Sequence, residues 1–130
     1  MISRQKYLNQ IKDFIDKPVI KVITGMRRCG KSVILQQIKE LLLCQGIDEI
    51  QIFYVNFESL KYENLKDYRS LYQAVTDAVQ KSDGRLYILL DEVQEVEGWE
   101  KAVNSFRVDF DCDIYITGSN ARLLAGELAT

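Results

Sequence analysis

The stretch Val19-Ile20-Lys21-Val22-Ile23-Thr24-Gly25-Met26-Arg27-Arg28-Cys29-Gly30-Lys31-Ser32-Val33-Ile34-Leu35 decides how this chain is read. Its first six residues are mostly β-branched and apolar, and predict a buried strand over Val19 to Thr24. Gly25 to Ser32 then follows G-x-x-x-x-G-K-S at every defined position. Val33, Ile34, Leu35, Ile38, Leu41 and Leu42 fall at helical spacing, so the spacing predicts a loop through Lys31 and then a helix ending near Gly46. Strand, glycine loop and helix in this order let successive backbone N–H groups curl around phosphate oxygens, with the positive end of the helix behind them. Lys31 reaches the β- and γ-phosphates of a nucleotide as a point charge, and the Ser32 hydroxyl is an oxygen ligand for Mg²⁺. The nucleotide-binding residues expected here are Gly25, Arg27, Arg28, Cys29, Gly30, Lys31, Ser32 and Val33. The Arg27 and Arg28 side chains need not touch phosphate, and are available to brace neighbouring acids or a partner surface.

Outward from this stretch the pattern alternates. Tyr7, Leu8, Ile11, Phe14 and Ile15 predict an amphipathic helix over residues 3–16, stopped near Pro18. Ile50 to Phe57 reads as a second strand. Tyr68, Leu71, Tyr72, Val75, Ala78 and Val79 mark a helix, and Ser82-Asp83-Gly84 turns the chain into a strand over Leu86 to Leu90. Trp99, Ala102, Val103 and Phe106 give a shorter helix, Asp113 to Thr117 a fourth strand, and Ala121 to Leu128 the start of another helix. Strands alternating with helices imply a mainly parallel sheet covered on both faces, an α/β protein of three layers, α/β/α, in one domain over residues 1–130.

Composition narrows the chemistry. The chain has 130 residues, 47% apolar and 28% charged, with no apolar run near the ~20 residues of a membrane span. With no leader pattern at its start, a cytoplasmic location is expected. Cys29, Cys44 and Cys112 are widely spaced and form no C-x-x-C pair, so reduced thiols are expected rather than a disulfide or zinc framework. Histidine is absent, which leaves carboxylates, lysines and the backbone to do the chemistry. Residues 1–47 hold nine of the 17 basic side chains and three of the 19 acidic ones. Solvated helix faces account for that bias more simply than a nucleic-acid stripe.

Leu86-Tyr87-Ile88-Leu89-Leu90-Asp91-Glu92 is an apolar strand ending in two acids, the form of a Walker B strand. Asp91 is placed to hold Mg²⁺, a hard ion that takes oxygen ligands. Glu92 is placed to accept a proton from the attacking water or to orient it. Tyr115-Ile116-Thr117-Gly118-Ser119-Asn120 ends the fourth strand in small polar groups, where Ser119, ahead of Asn120, is the expected sensor of the γ-phosphate. The expected catalytic set is therefore Lys31, Glu92 and Ser119. Glu58 reads as a loop carboxylate or a contact to the nucleotide site or an arginine. Gln94 and Trp99 read as packing and helix start, and Tyr68 and Tyr72, at helical spacing, as core packing rather than an aromatic nucleic-acid face.

The combination of Gly25 to Ser32, Asn56-Phe57-Glu58, Leu90-Asp91-Glu92-Val93-Gln94 with Gly98-Trp99-Glu100, and Thr117 to Leu124 resembles a prokaryotic family of AAA-like P-loop ATPases. In that family the P-loop domain precedes a C-terminal domain of unknown function. The resemblance spans roughly residues 4–128. It implies ATP binding by the loop, Mg²⁺ at Ser32 and Asp91, water activation by Glu92 and a sensor at Ser119. Cys29 stands where a small aliphatic residue looks more usual; backbone N–H groups do the binding there, so affinity is expected to survive.

ATP hydrolysis coupled to a conformational change is the leading expectation. A nucleotide-dependent switch with little turnover, a small-molecule kinase and a nucleic-acid translocase are the competing readings. A strand inserted between the P-loop strand and the Walker B strand separates hydrolase from kinase. A translocase needs a second motor lobe or a basic channel, and the sequence carries neither. Arg107 and Arg122 are both open as an arginine finger. AAA-like cores have strand order 5-1-4-3-2, and only four strands are read before Thr130. The expectation is a core truncated before the fifth strand and the helical lid, with an exposed first-strand edge prone to self-association and the C-terminal domain of the same protein beyond it.

Overall fold

The structure, a computed structural model, describes residues 20–23 and 28–118, and for residues 28–32 the backbone alone. The elements are β1 (Lys21–Ile23), α1 (Arg28–Cys44), β2 (Ile52–Asn56), α2 (Tyr68–Lys81), β3 (Leu86–Asp91), α3 (Trp99–Asp109) and β4 (Cys112–Thr117). Short 3₁₀ turns occupy Glu49–Gln51, Leu60–Leu65 and Val93–Glu95. The expected helices over residues 3–16 and 121–128 lie outside the described residues.

The four described strands form one sheet in the order β1-β4-β3-β2, and every pairing is parallel. This is the expected order without a fifth strand. Parallel strands are buried on both faces, which is why all six residues of β3 are apolar or acidic and all are buried. On one face Ile23, Tyr87, Leu89 and Tyr115 pack against Ile34, Leu35, Ile38 and Leu42 of α1. On the other, Val55, Ile88, Leu90, Ile114 and Ile116 pack against Leu71 and Val75 of α2 and Ala102, Val103 and Phe106 of α3. The three layers expected from the sequence are present.

Two local expectations need correction. The loop expected through Lys31 is shorter, because α1 already begins at Arg28. A glycine inside a helix costs only about 1 kcal/mol, so Gly30 does not hold the helix off. The 3₁₀ turns were not anticipated, since one turn is too short to show a period.

Tyr68 and Tyr72 of α2 are half-buried and pack against the rim of the core rather than within it, and Arg69 and Lys101 lie over the Tyr68 ring at 5.5 Å and 5.2 Å. Tyr72 stacks on Phe106 and Phe110, with ring centres 6.1 Å and 5.5 Å away, and donates its hydroxyl to Asp109 at 2.7 Å. Cys44 and Cys112 are free thiols. Burial, with the Asp113 and Asp111 carboxylates, pushes Cys112 up to about 11, which keeps it an unreactive neutral thiol.

Candidate nucleotide site at the carboxyl edge of the sheet

All four strands point their carboxyl ends to the same edge, where open α/β sheets bind ligands. Ile23 is in register with Thr117, Leu90 with Ile116, and Asn56 with Asp91. The chain leaves β1 at Ile23 and re-forms as α1 at Arg28, so the amino end of α1 belongs to this edge. Its first turn carries no acidic residue, and the positive end of a helix dipole suits an anion.

Asp91 ends β3 at the same edge, and Glu92 follows it. Asp91 is 0% exposed and Glu92 5%. Strand alternation puts Asp91 on the same face as Tyr87 and Leu89, the face covered by α1. Burial, and then the Asp91 carboxylate, raise the nearby Tyr54 phenol above its ordinary 10.0. Thr117, also fully buried, links the pair: its hydroxyl donates to Asp91 Oδ1 at 2.5 Å and accepts from the Glu92 N–H at 3.0 Å. Glu92 is the one non-glycine residue with positive φ among those described, at φ 58°, ψ 54°. The following 3₁₀ turn closes on it through Glu95 N–H to Glu92 C=O at 3.1 Å. Gln94, within that turn, donates its Nε2 to Glu92 Oε1 at 2.7 Å.

The structure thus brings Asp91 and Glu92 together as the sequence leads one to expect, and adds Thr117 and Gln94. Gln94, read from sequence as packing, is corrected to a polar partner of Glu92. Thr117 was legible in principle as a hydroxyl at the end of an apolar strand, but only the register sets it beside the acids. Asn56 accepts the Glu58 N–H at 3.0 Å and Phe57 donates to the Asp91 carbonyl at 3.0 Å, so Asn56-Phe57 locks the end of β2 to β3 while the Glu58 side chain is exposed. Trp99 is core, 4% exposed, as expected. Gly25, Arg27, Ser119, Asn120 and Arg122 lie outside the described residues. Arg28, Cys29, Gly30, Lys31 and Ser32 are described as the first residues of α1 without their side chains, and Val33, next in the helix, is half-buried.

Among the described residues no three His, Cys, Asp or Glu side chains cluster as a metal site. Among the described side chains this edge offers the buried Asp91 carboxylate, a hard oxygen donor that suits Mg²⁺, which commonly takes one or two protein ligands and fills the rest with water and phosphate.

Residues 17–130 match the family described as AAA domain. The chain belongs to that family. AAA domains are nucleotide-binding P-loop ATPases, which accords with the parallel sheet and the acid pair at its carboxyl edge. An uncharacterized protein of Haemophilus influenzae is 52% identical to this AAA domain over 130 residues, all of this chain and 32% of the relative. An uncharacterized protein of Methanocaldococcus jannaschii is 32% identical over 112 residues, 85% of this chain and 23% of the relative. The AAA domain described here therefore spans about a third or less of the length of these curated relatives. No solved structure matches it. No described helix is long and apolar enough to cross a membrane.

Proposed function

We propose that this AAA domain binds ATP with Mg²⁺ at the carboxyl edge of its sheet and hydrolyses it. The observation that carries the reading is the buried Asp91–Thr117–Glu92 unit at the carboxyl edge of the sheet. In this reading the backbone N–H groups of Gly25 to Val33 cradle the phosphates and Lys31 adds a point charge to the β- and γ-phosphates. Ser32 and Asp91 hold the Mg²⁺, which neutralises phosphate charge. Glu92 takes a proton from, or orients, the attacking water. Ser119 remains the proposed γ-phosphate sensor.

The position of β4 between β1 and β3 favours hydrolysis over a small-molecule kinase, because it supplies a polar strand end, Thr117, beside the acids. ATP affinity and single-turnover hydrolysis, measured side by side, test the proposal. Lys31→Ala is expected to weaken ATP binding, and an unchanged dissociation constant would overturn the loop assignment. Glu92→Gln is expected to bind ATP as the parent does and turn over at least about 100-fold more slowly. Binding without turnover in the parent would return the domain to a nucleotide-dependent switch.

A further inference from the structure

Gln94 carries a buried carbonyl with nothing to accept from. Its Nε2 is committed to Glu92 Oε1 at 2.7 Å, and its Oε1 is fully buried without a hydrogen-bond partner. Which end of an amide is which is usually open to a half-turn flip. Here the carboxylate decides it, because only the amide nitrogen has hydrogens to donate and reversal would set oxygen against oxygen. The orphan is therefore an acceptor. A buried acceptor left unsatisfied is costly, and such a group in a folded protein calls for a donor, water among the candidates.

The group is rigidly presented. The Val93–Glu95 turn that holds Gln94 is closed by Glu95 N–H to Glu92 C=O at 3.1 Å and Val96 N–H to Val93 C=O at 3.0 Å. Val93 and Val96 anchor it in the core. Glu92 itself is fixed by its left-handed backbone and by Thr117. The result is a carboxylate and an amide oxygen side by side, two acceptors on one small rigid turn. A water molecule has two hydrogens to donate and matches that pair.

We infer that Gln94 is a water-positioning residue: its Oε1 and the Glu92 carboxylate together hold the water that attacks ATP. The inference rests on the hydrolase reading above. As the water oxygen bonds to the γ-phosphorus, the bond from that phosphorus to the β,γ-bridging oxygen breaks and ADP leaves with its electron pair. One water proton passes to Glu92, while the other stays on the oxygen as the donor to Gln94 until the phosphate product forms. Gln94 Nε2 meanwhile keeps the Glu92 carboxylate from rotating away.

Gln94→Met keeps length and bulk but removes both hydrogen-bonding ends. In the intact protein it is expected to retain ATP affinity and melting temperature while single-turnover hydrolysis falls about 10- to 100-fold. The double variant with Glu92→Gln is expected to lose no more than the worse single variant, since both act on one water. A crystal structure with a non-hydrolysable ATP analogue should show a water bonded to Gln94 Oε1 and Glu92. Parental turnover in Gln94→Met overturns this role alone. Parallel loss of affinity, melting temperature and turnover makes Gln94 structural and overturns it too, as does a protein or nucleotide donor on Oε1 in the crystal. A parent that binds ATP without turning it over overturns the hydrolase reading and this role with it.

Discussion

Glu92 is held where an L-residue is uncomfortable. A left-handed backbone at a non-glycine position costs about 1–2 kcal/mol, and burying a carboxylate costs more unless it is paired. Bonds to Thr117 on β4 and to Gln94 in the following turn offset these costs: the Glu92 amide donates to the Thr117 hydroxyl, and Gln94 donates to the Glu92 carboxylate. Thr117 is the residue on which this depends, because one hydroxyl serves both acids. Thr117→Val keeps the shape and leaves Asp91 and the Glu92 N–H each short of a partner. It should destabilise the fold by about 1–3 kcal/mol in urea denaturation and depress hydrolysis, whereas Thr117→Ser, which keeps the hydroxyl, should retain most turnover. Equal stability of the valine variant and the parent would show that the link is not structural. Asp91 and Glu92 were legible in the sequence as acids ending an apolar strand. Of Thr117 the sequence shows a hydroxyl at a strand end but not its role, which comes from the β3–β4 pairing that sets it against Asp91, 26 residues away.

The junctions before α2 and α3 explain why Gly98-Trp99 stands where it does. Glu97 N–H donates to the Lys66 carbonyl at 2.8 Å and pairs with Asp67 in a parallel bridge. Asp67 caps α2 through the Ser70 N–H at 3.0 Å. The two helix starts are thereby tied together on one side of the sheet. Gly98, at φ 72°, lies under the Tyr68 ring, and a Cβ there would sit 2.6 Å from Tyr68 Cδ1. Gly98→Ala therefore adds a steric clash to a backbone strain and should cost about 1–3 kcal/mol. Thermal unfolding checks this, and a melting temperature within a degree of the parent's would mean that Tyr68 moves aside freely. The helices themselves were readable from their 3.6-residue period, and α2 and α3 appear where that period places them. The tie between their starts was not readable, because it joins backbone groups whose spacing leaves no mark on side-chain pattern.

Among the described residues the sheet ends in two edge strands, β1 and β2, each paired on one side. Among the described residues β1 pairs with β4 alone, and Val22 on it is 42% exposed. An apolar strand at a sheet edge invites pairing with another chain. Sedimentation velocity of the 130-residue chain should show association that grows with concentration, reduced by Val22→Lys, and a monomer at every concentration would argue against an open edge. Beneath that edge, Lys21 donates to Asp113 in a buried ion pair, Tyr115 donates to the same carboxylate at 2.6 Å, and the ammonium lies 5.0 Å from the Tyr115 ring centre. Nothing in the local pattern of either strand announces this trio; Lys21 reads simply as one polar residue in an apolar strand. What the sequence determined by itself was what local periodicity and short motifs carry: the strand and the helix on either side of the glycine motif, the alternation that makes a parallel sheet, and the acids at the end of β3. What the tertiary structure alone decided was which distant side chains meet: Thr117 with the acid pair, Lys21 with Asp113, and Tyr68 over Gly98. The Gln94 bond to Glu92, though short in sequence, also waited on the left-handed turn that folds the two together. The reason is physical: strand register and backbone handedness set these contacts, and strands buried on both faces carry no alternation from which register can be read.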